Sequence, residues 1–439
     1  MKNDLASREG LLRGIRKWDL VAIAINAIIG AGIFGLPARV YALIGSYSLI
    51  AFIACAVVVI LIILCFAEVG SRFDQTGGPY LYAREAFGST VAFEVGWLMW
   101  LARLTAFAAN CNLMISYLGL FAPAANDPVP RAILITIVVV SLTTLNVLGV
   151  RQAAIASNVF TIGKLIPLLI FIAGGLFFLN PKAFALGAPP STGAFSQSVL
   201  LLIYAFSGFE MAAVPAGEIR NPQKYLPRAL LMAIAVVATL YILIQIVCIG
   251  TLPELATSQK PLADAGLRFM GSLGARVIAA GAVISIIGNL NIVLLAGSRV
   301  PFAIAEQQQL PSFLGRVHRR FFTPYVAILI SAALMLVLTM KSSFVTALTI
   351  SAIARLVTYA VTCAALPVLR RRKGVPAAVF KVRGGPIIAV VALILAAWLL
   401  VNNTFRTDNG LKEAYQAAVA ALVGLLIYFA YRFYRSRNS

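Results

Sequence analysis

Acidic side chains are scarce in this chain. Fifteen Asp and Glu stand against 36 Lys and Arg among 439 residues, and His318 is the single histidine. One histidine excludes His-rich metal or acid–base chemistry, and no pair of aspartates sits in the apolar runs, so an enzyme is not expected. The five cysteines, Cys55, Cys65, Cys111, Cys248 and Cys363, form no CxxC and have no histidine partners. No zinc or haem site can be drawn from them, no metal or cofactor is expected, and their default role is small apolar packing. Charge of either sign is low as well, at 12% of residues. Soluble domains run at about 25%, so that class is excluded.

What the chain has instead is apolar length. Hydrophobic residues make up 61% and mean hydropathy is +0.93. Runs near the ~20 residues needed to cross a bilayer recur throughout. They fall at 18–44, 48–71, 91–120, 132–150, 158–179, 195–219, 229–250, 273–305, 324–340, 344–369, 386–401 and 413–434, about twelve in all. The first is too long and too glycine-rich for a signal peptide. The reading is an all-α polytopic membrane protein.

The net charge of +21 does not point to nucleic acid, because it is distributed by side. With a cytosolic N-terminus, about 24 Lys and Arg fall on cytosolic tails and connections and 9 on the opposite side. That is the positive-inside asymmetry expected if both termini are cytosolic in a cell (inner) membrane. Three basic residues are left inside the spans: Arg103, Lys164 and Arg355. A charge at a helix centre costs at least ~2.5–3.5 kcal/mol on insertion scales and is kept where it meets protein, water or a task. A guanidinium hardly ever loses its proton. An amine does so when burial disfavours its charged form, which makes Lys164 the candidate proton-coupling group.

Two spans are interrupted. The first reads AIAINAIIGAGIFGLPARVYALIG, with Gly30, Gly32 and Gly35 clustered and Pro37 depriving the Ile33 carbonyl of a donor. Two half-helices are expected, with a hinge near 30–34 and the second half starting near Leu36. The N-terminus of that half offers free N–H groups to a carboxylate. The sixth span reads LLIYAFSGFEMAAVPAGE and is broken by Ser207, Gly208, Glu210 and Pro215. Its freed carbonyls suit an ammonium. Breaks at the openings of two successive five-helix blocks point to an inverted repeat with a midplane site between its halves.

These residues carry a family resemblance. NAIIGAGIFGLP (26–37) resembles the first-helix signature of the amino acid–polyamine–organocation permeases. EVGSRFDQTGGPYLYAREAFG (68–88) and FSGFEMAAVPAGEIRNPQKYLPRA (206–229) are similar to the family's helix two–three connection and its sixth helix with the following loop. The likeness runs from about residue 18 to the Arg370 cluster. It implies a LeuT-type fold of five plus five inverted helices, with helices 1 and 6 unwound at mid-membrane and two further helices. The divisions are a basic tail at 1–17, repeats at 18–180 and 195–370, and helices 11 and 12 with a cytosolic tail at 371–439. The resemblance places a substrate carboxylate on the N–H groups of Gly30, Ala31 and Gly32. It places the ammonium on carbonyls near Ile28, Phe206 and Ser207. It also sets Lys164 where sodium-coupled relatives hold their ion, between helices one and eight.

Asn110, Asn289, Tyr359, Arg103 and Arg355 are candidate pocket or gate residues, and residues 77–88 are expected to form a short re-entrant or interfacial gate. Glu210 is the one acid at either hinge. Paired with Arg103 or Arg355, it leaves a nearly neutral side-chain pocket that favours neutral amino acids over polyamines. Unpaired, it favours cationic amino acids, at the cost of a lone carboxylate at depth. The expected function is secondary active transport of amino acids by proton symport. The proton is the coupling ion, and the partners are the substrate and the bilayer; oligomeric state is not legible. Alternatives are an exchanger without net proton coupling and, in another class, a membrane amino-acid sensor. The short basic tails, with no output domain, weigh against the sensor.

Overall fold

The computed structural model describes residues 15–75, 77–148, 164–214, 216 and 219–438. Among these residues the chain is helical throughout, and its one β-type pairing is a parallel bridge between Ile15 and Ile219. The first half holds α1 (Lys17–Ile28), α2 (Gly32–Ile44), α3 (Ser48–Gly70), α4 (Pro79–Phe87), α5 (Ser89–Leu118) and α6 (Pro128–Leu148). Next come α7 (Lys164–Phe178) and α8 (Thr192–Phe206), followed by a 3-10 turn at Phe209–Ala213. The rest is α9 (Pro222–Thr251), α10 (Pro261–Glu306), α11 (Tyr325–Lys341), α12 (Phe344–Arg371), α13 (Gly385–Arg406) and α14 (Gly410–Asn438). Nine described segments are long and apolar enough to cross a membrane, Gly32–Gly70 counting as one, and α7 and α11 are shorter apolar helices. Helix therefore occupies each of the twelve expected spans. The start of the fifth span with Gly163, as well as Pro215, Arg151 and tail residues Lys2, Arg8 and Arg13, lies outside the described residues.

The packing pairs repeat. α2 lies against α8, and α1 against the 3-10 turn. α1 packs on α9 as α8 packs on α3, while α3 meets α9, α5 meets α10 and α6 meets α11. Exchanging each span with the one five places later returns these same contacts, the pattern a five-span repeat produces. Enclosure follows from it. In α5 and in the α8 segment 78% of the apolar stretch is buried, against 17% in α14. The broken spans are thus central, and α14 faces outward.

Helices in lipid gain nothing from hiding apolar surface from one another, so close packing of small residues holds them. A Cβ on Gly32 would meet the α8 backbone at Ala205 Cα, 2.9 Å away. A Cβ on Gly281 would run into Pro167, which sets α7 directly on α10. Edge-on aromatic contacts of Phe66 with Tyr82, Phe209 and Tyr359 tie α3, α4 and α12 to the 3-10 turn. Each is worth about 0.5–1.5 kcal/mol beyond its area.

Connections sort into two ends. At one, Arg220 N–H donates to the Ile15 carbonyl (2.9 Å), Thr323 to the Val147 carbonyl (2.8 Å) and Tyr80 to Gln309 (3.2 Å). At this end Glu68, fully buried, accepts from Nε and Nη2 of Arg370, each at 2.6 Å, and from the N–H of Val382 at 2.9 Å, with Arg72 3.6 Å away. At the other end Arg39 donates to Gln259 (2.6 Å), Ser46 to the Ala183 carbonyl (3.0 Å) and Arg406 to Thr192 (2.9 Å). Such a split requires the spans to alternate in direction.

Two expectations change in detail. The first break lies at residues 29–31, overlapping the expected hinge, but the second half-helix opens at Gly32, a turn before Leu36, and Pro37 sits inside α2. The two breaks are in contact, as described below, and no local propensity encodes that contact. The expected eighth span opens at Gly271, whose φ of 68° kinks α10, but residues 261–270, read as loop, are already helical. Pro261 supplies that helix with a natural first turn. Residues 79–87 form a helix bracketed by Gly78 (φ 53°) and Gly88 (φ 89°), where left-handed backbone favours glycine.

Candidate functional site

The two breaks touch. Gly208 has φ 112°, and a Cβ there would collide with the Ala27 carbonyl, so only glycine fits. The Tyr241 hydroxyl of α9 lies 3.2 Å from the carbonyls of both Ile28 and Ala205 and shares its one proton between them, bridging the end of α1 to the end of α8. Ser207 donates its hydroxyl to the Tyr204 carbonyl at 2.7 Å. Breaking α1 at Ile29 deprives its last carbonyls of helical donors, while the first N–H groups of α2 have no side-chain cap. The first break therefore presents acceptors on one lip and donors on the other.

Lys164 closes the acceptor lip. Its Nζ donates to the carbonyls of Asn26 and Ile29, each at 2.8 Å, and the residue is 3% exposed. A cation at a helix C-terminus also complements the macrodipole. The expected contact with helix one is present. Toward helix eight, α7 packs through Pro167 on Gly281.

The second break is closed from within. Glu210 accepts the Gly208 N–H (2.8 Å) and the Tyr359 hydroxyl (2.8 Å), and pairs with Arg355 of α12. Of the two pairings expected for Glu210, the one with Arg355 is formed. Arg103 instead donates to the Met99 carbonyl (3.0 Å) and meets the Met211 sulfur at 2.8 Å. A buried carboxylate holding three donors has its lone pairs satisfied, the condition under which a buried ion pair is tolerated.

Between the breaks lies a cavity of about 50 Å3. It is lined by Ile28, Gly30, Ala31, Gly32, Ser207, Asn110, Asn289, Arg103 and Arg355 of the expected set. Asn110 donates to Asn289 at 2.6 Å and accepts from Tyr204, joining α5, α10 and α8 across its wall. A Cβ on Gly30 would come within 3.0 Å of Asn289, so that glycine lets the break approach the wall. Glu210 and Tyr359 line a separate space of about 10 Å3 behind the two arginines. Phe206 is absent from both linings; its ring packs on Phe52 and Tyr241. Lys164 reaches the cavity only through the hinge backbone. Sequence reasoning missed Ala27, Tyr204, Met211 and Tyr241, and named Gly208 only as a helix breaker. Tyr204 was within reach, three residues before the break at Ser207. Tyr241 lies in an uninterrupted apolar run and carries no local signal.

Comparisons agree with this architecture. A family profile described as amino acid permease matches residues 15–428. The serine/threonine exchanger SteT of Bacillus subtilis is 29% identical over 96% of this chain and 97% of its own length. The branched-chain amino acid permease BcaP of Bacillus subtilis is 27% identical over 97% and 94%. The mouse b(0,+)-type amino acid transporter 1 is 28% identical over 98% and 89%. Matching across nearly the whole chain, with two touching helix breaks around a central cavity and an architecture that fits the LeuT-type fold, makes this chain a member of the amino acid permease family, a multi-pass membrane transporter and not an enzyme.

Proposed function

We propose that this chain is a proton-coupled amino acid symporter of the cell (inner) membrane with both termini cytosolic, working by alternating access. Residues 18–180 and 195–370 are the two repeats that move against each other. The substrate carboxylate sits on the N–H groups of Gly30, Ala31 and Gly32, and its ammonium on carbonyls of Ile28, Phe206 and Ser207. Lys164 carries the coupling proton. One observation supports this most: the Lys164 ammonium is bonded to the Asn26 and Ile29 carbonyls of the hinge that would hold the substrate. Removal of its proton weakens that hold, because a neutral amine has lost the charge that strengthens both bonds. The ion pair between Glu210 and Arg355 supports neutral amino acids over polyamines, since Glu210 has no free charge to offer a cation.

A second reading, exchange without net proton coupling, is favoured by the relative named a serine/threonine exchanger. Uptake of labelled alanine into proteoliposomes separates the two. Symport predicts accumulation driven by an inward proton gradient with empty vesicles. Exchange predicts uptake only when amino acid is preloaded, whatever the gradient.

A further inference from the structure

Charge in the cavity does not balance. Arg103 and Arg355 both line it, while the other lining residues are uncharged. The nearby acid, Glu210, lines the smaller space, which both arginines also border, and already receives Arg355, Tyr359 and the Gly208 N–H. Arg103 is 5% exposed and its Nη2 is set against the thioether of Met211. Sulfur of this kind is a weak acceptor, and a guanidinium has five donors in a fixed fork. A buried guanidinium that holds one carbonyl and one thioether, and shares with Arg355 a single carboxylate already bonded to Arg355, has donor capacity left for a stronger acceptor. The partner that suits it best is a carboxylate, which can take two parallel N–H groups at once.

We propose that Arg103 reads the substrate side chain, and that the transporter prefers amino acids with a carboxylate side chain over neutral ones, and neutral ones over cationic. This rests on the reading of the hinges as the zwitterion site and goes beyond it by naming the side-chain class. An acidic substrate brings the second negative charge that the two arginines lack. An aliphatic side chain leaves the Arg103 Nη2 against sulfur. A lysine side chain adds a third positive charge to the same small space.

The test is equilibrium binding of L-aspartate, L-glutamate, L-alanine and L-lysine to the purified full chain in nanodiscs, for wild type, Arg103→Gln and Arg103→Lys. Wild type is expected to bind at least one acid about tenfold tighter than alanine, and lysine weakest, as befits a charge-assisted bond in a dry site. Arg103→Gln should shrink the acid-to-alanine affinity ratio about tenfold, and Arg103→Lys should keep part of it. Equal weakening of acid and alanine by Arg103→Gln would make Arg103 structural and overturn the proposal. Wild type that binds alanine but neither acid overturns it too, even if the variants fail to fold, while leaving the hinge reading intact. Binding of none of the four ligands sinks both.

Discussion

The two hinges solve one problem with opposite chemistry. The first exposes carbonyls and is closed by a cation from another helix, Lys164. The second exposes an N–H and is closed by an anion two residues along, Glu210, which α12 then pins through Arg355 and Tyr359. Each choice follows the helix dipole, positive charge at a C-terminal end and negative at an N-terminal one. The difference lies in what can be withdrawn. A guanidinium stays charged, so the second clamp is permanent. An amine can lose its proton, so the first clamp is conditional, and under the proposed function it is the first hinge that would move with the coupling ion.

The largest effect expected of breaking this contrast is at the permanent clamp. Arg355→Ala leaves Glu210 buried without its counter-charge and should cost about 3–5 kcal/mol. Thermal unfolding of the detergent-solubilised variant measures this; an unchanged midpoint would mean that Tyr359 and the Gly208 N–H suffice. Next comes the helix contact beside the first hinge. A valine at Gly32 would drive methyls into the Ala205 backbone, so Gly32→Val should lose about 1–3 kcal/mol as well as substrate binding. The neighbour is backbone and cannot turn aside. Folded yield on size exclusion equal to wild type would contradict the stability loss. A milder change, Tyr241→Phe, removes the bridge between hinges and should cost about 1 kcal/mol. Substrate affinity falling together with stability would tie the bridge to the site, whereas a stability loss alone would not. Smallest in energy is sidedness. Cysteine at Ser258 should react with an impermeant maleimide added outside whole cells and cysteine at Arg371 should not; the reverse pattern inverts the topology.

Much of the contrast was legible in the sequence because it is written in residue types that membranes rarely hold. Lys164, Arg103, Arg355 and Glu210 stand out in apolar runs, and glycine and proline clusters announce both breaks. The matching of Glu210 with Arg355 and not Arg103 was not legible, since both arginines lie on helices packed around the same acid and only their reach decides. The second half-helix opens a turn before the start that Pro37 suggests, and beside that break Gly208 packs on Ala27, 181 residues apart by number, a contact that local sequence does not encode. Tyr241 and the Glu68–Arg370 pair were invisible for a related reason. Tyr241 works by tertiary contact, and Glu68 lies 302 residues from its partner in a stretch that reads as an ordinary helix end.

The central claim is that the proton on Lys164 governs the first hinge, and Lys164→Ala tests it most directly. The variant, reconstituted in proteoliposomes, is assayed for labelled alanine uptake with and without an inward proton gradient, beside counterflow exchange into preloaded vesicles. The account predicts a folded protein whose uptake no longer responds to the gradient, whether or not counterflow survives. Wild-type gradient-driven accumulation by Lys164→Ala would contradict it and leave Lys164 as a structural cap on a broken helix.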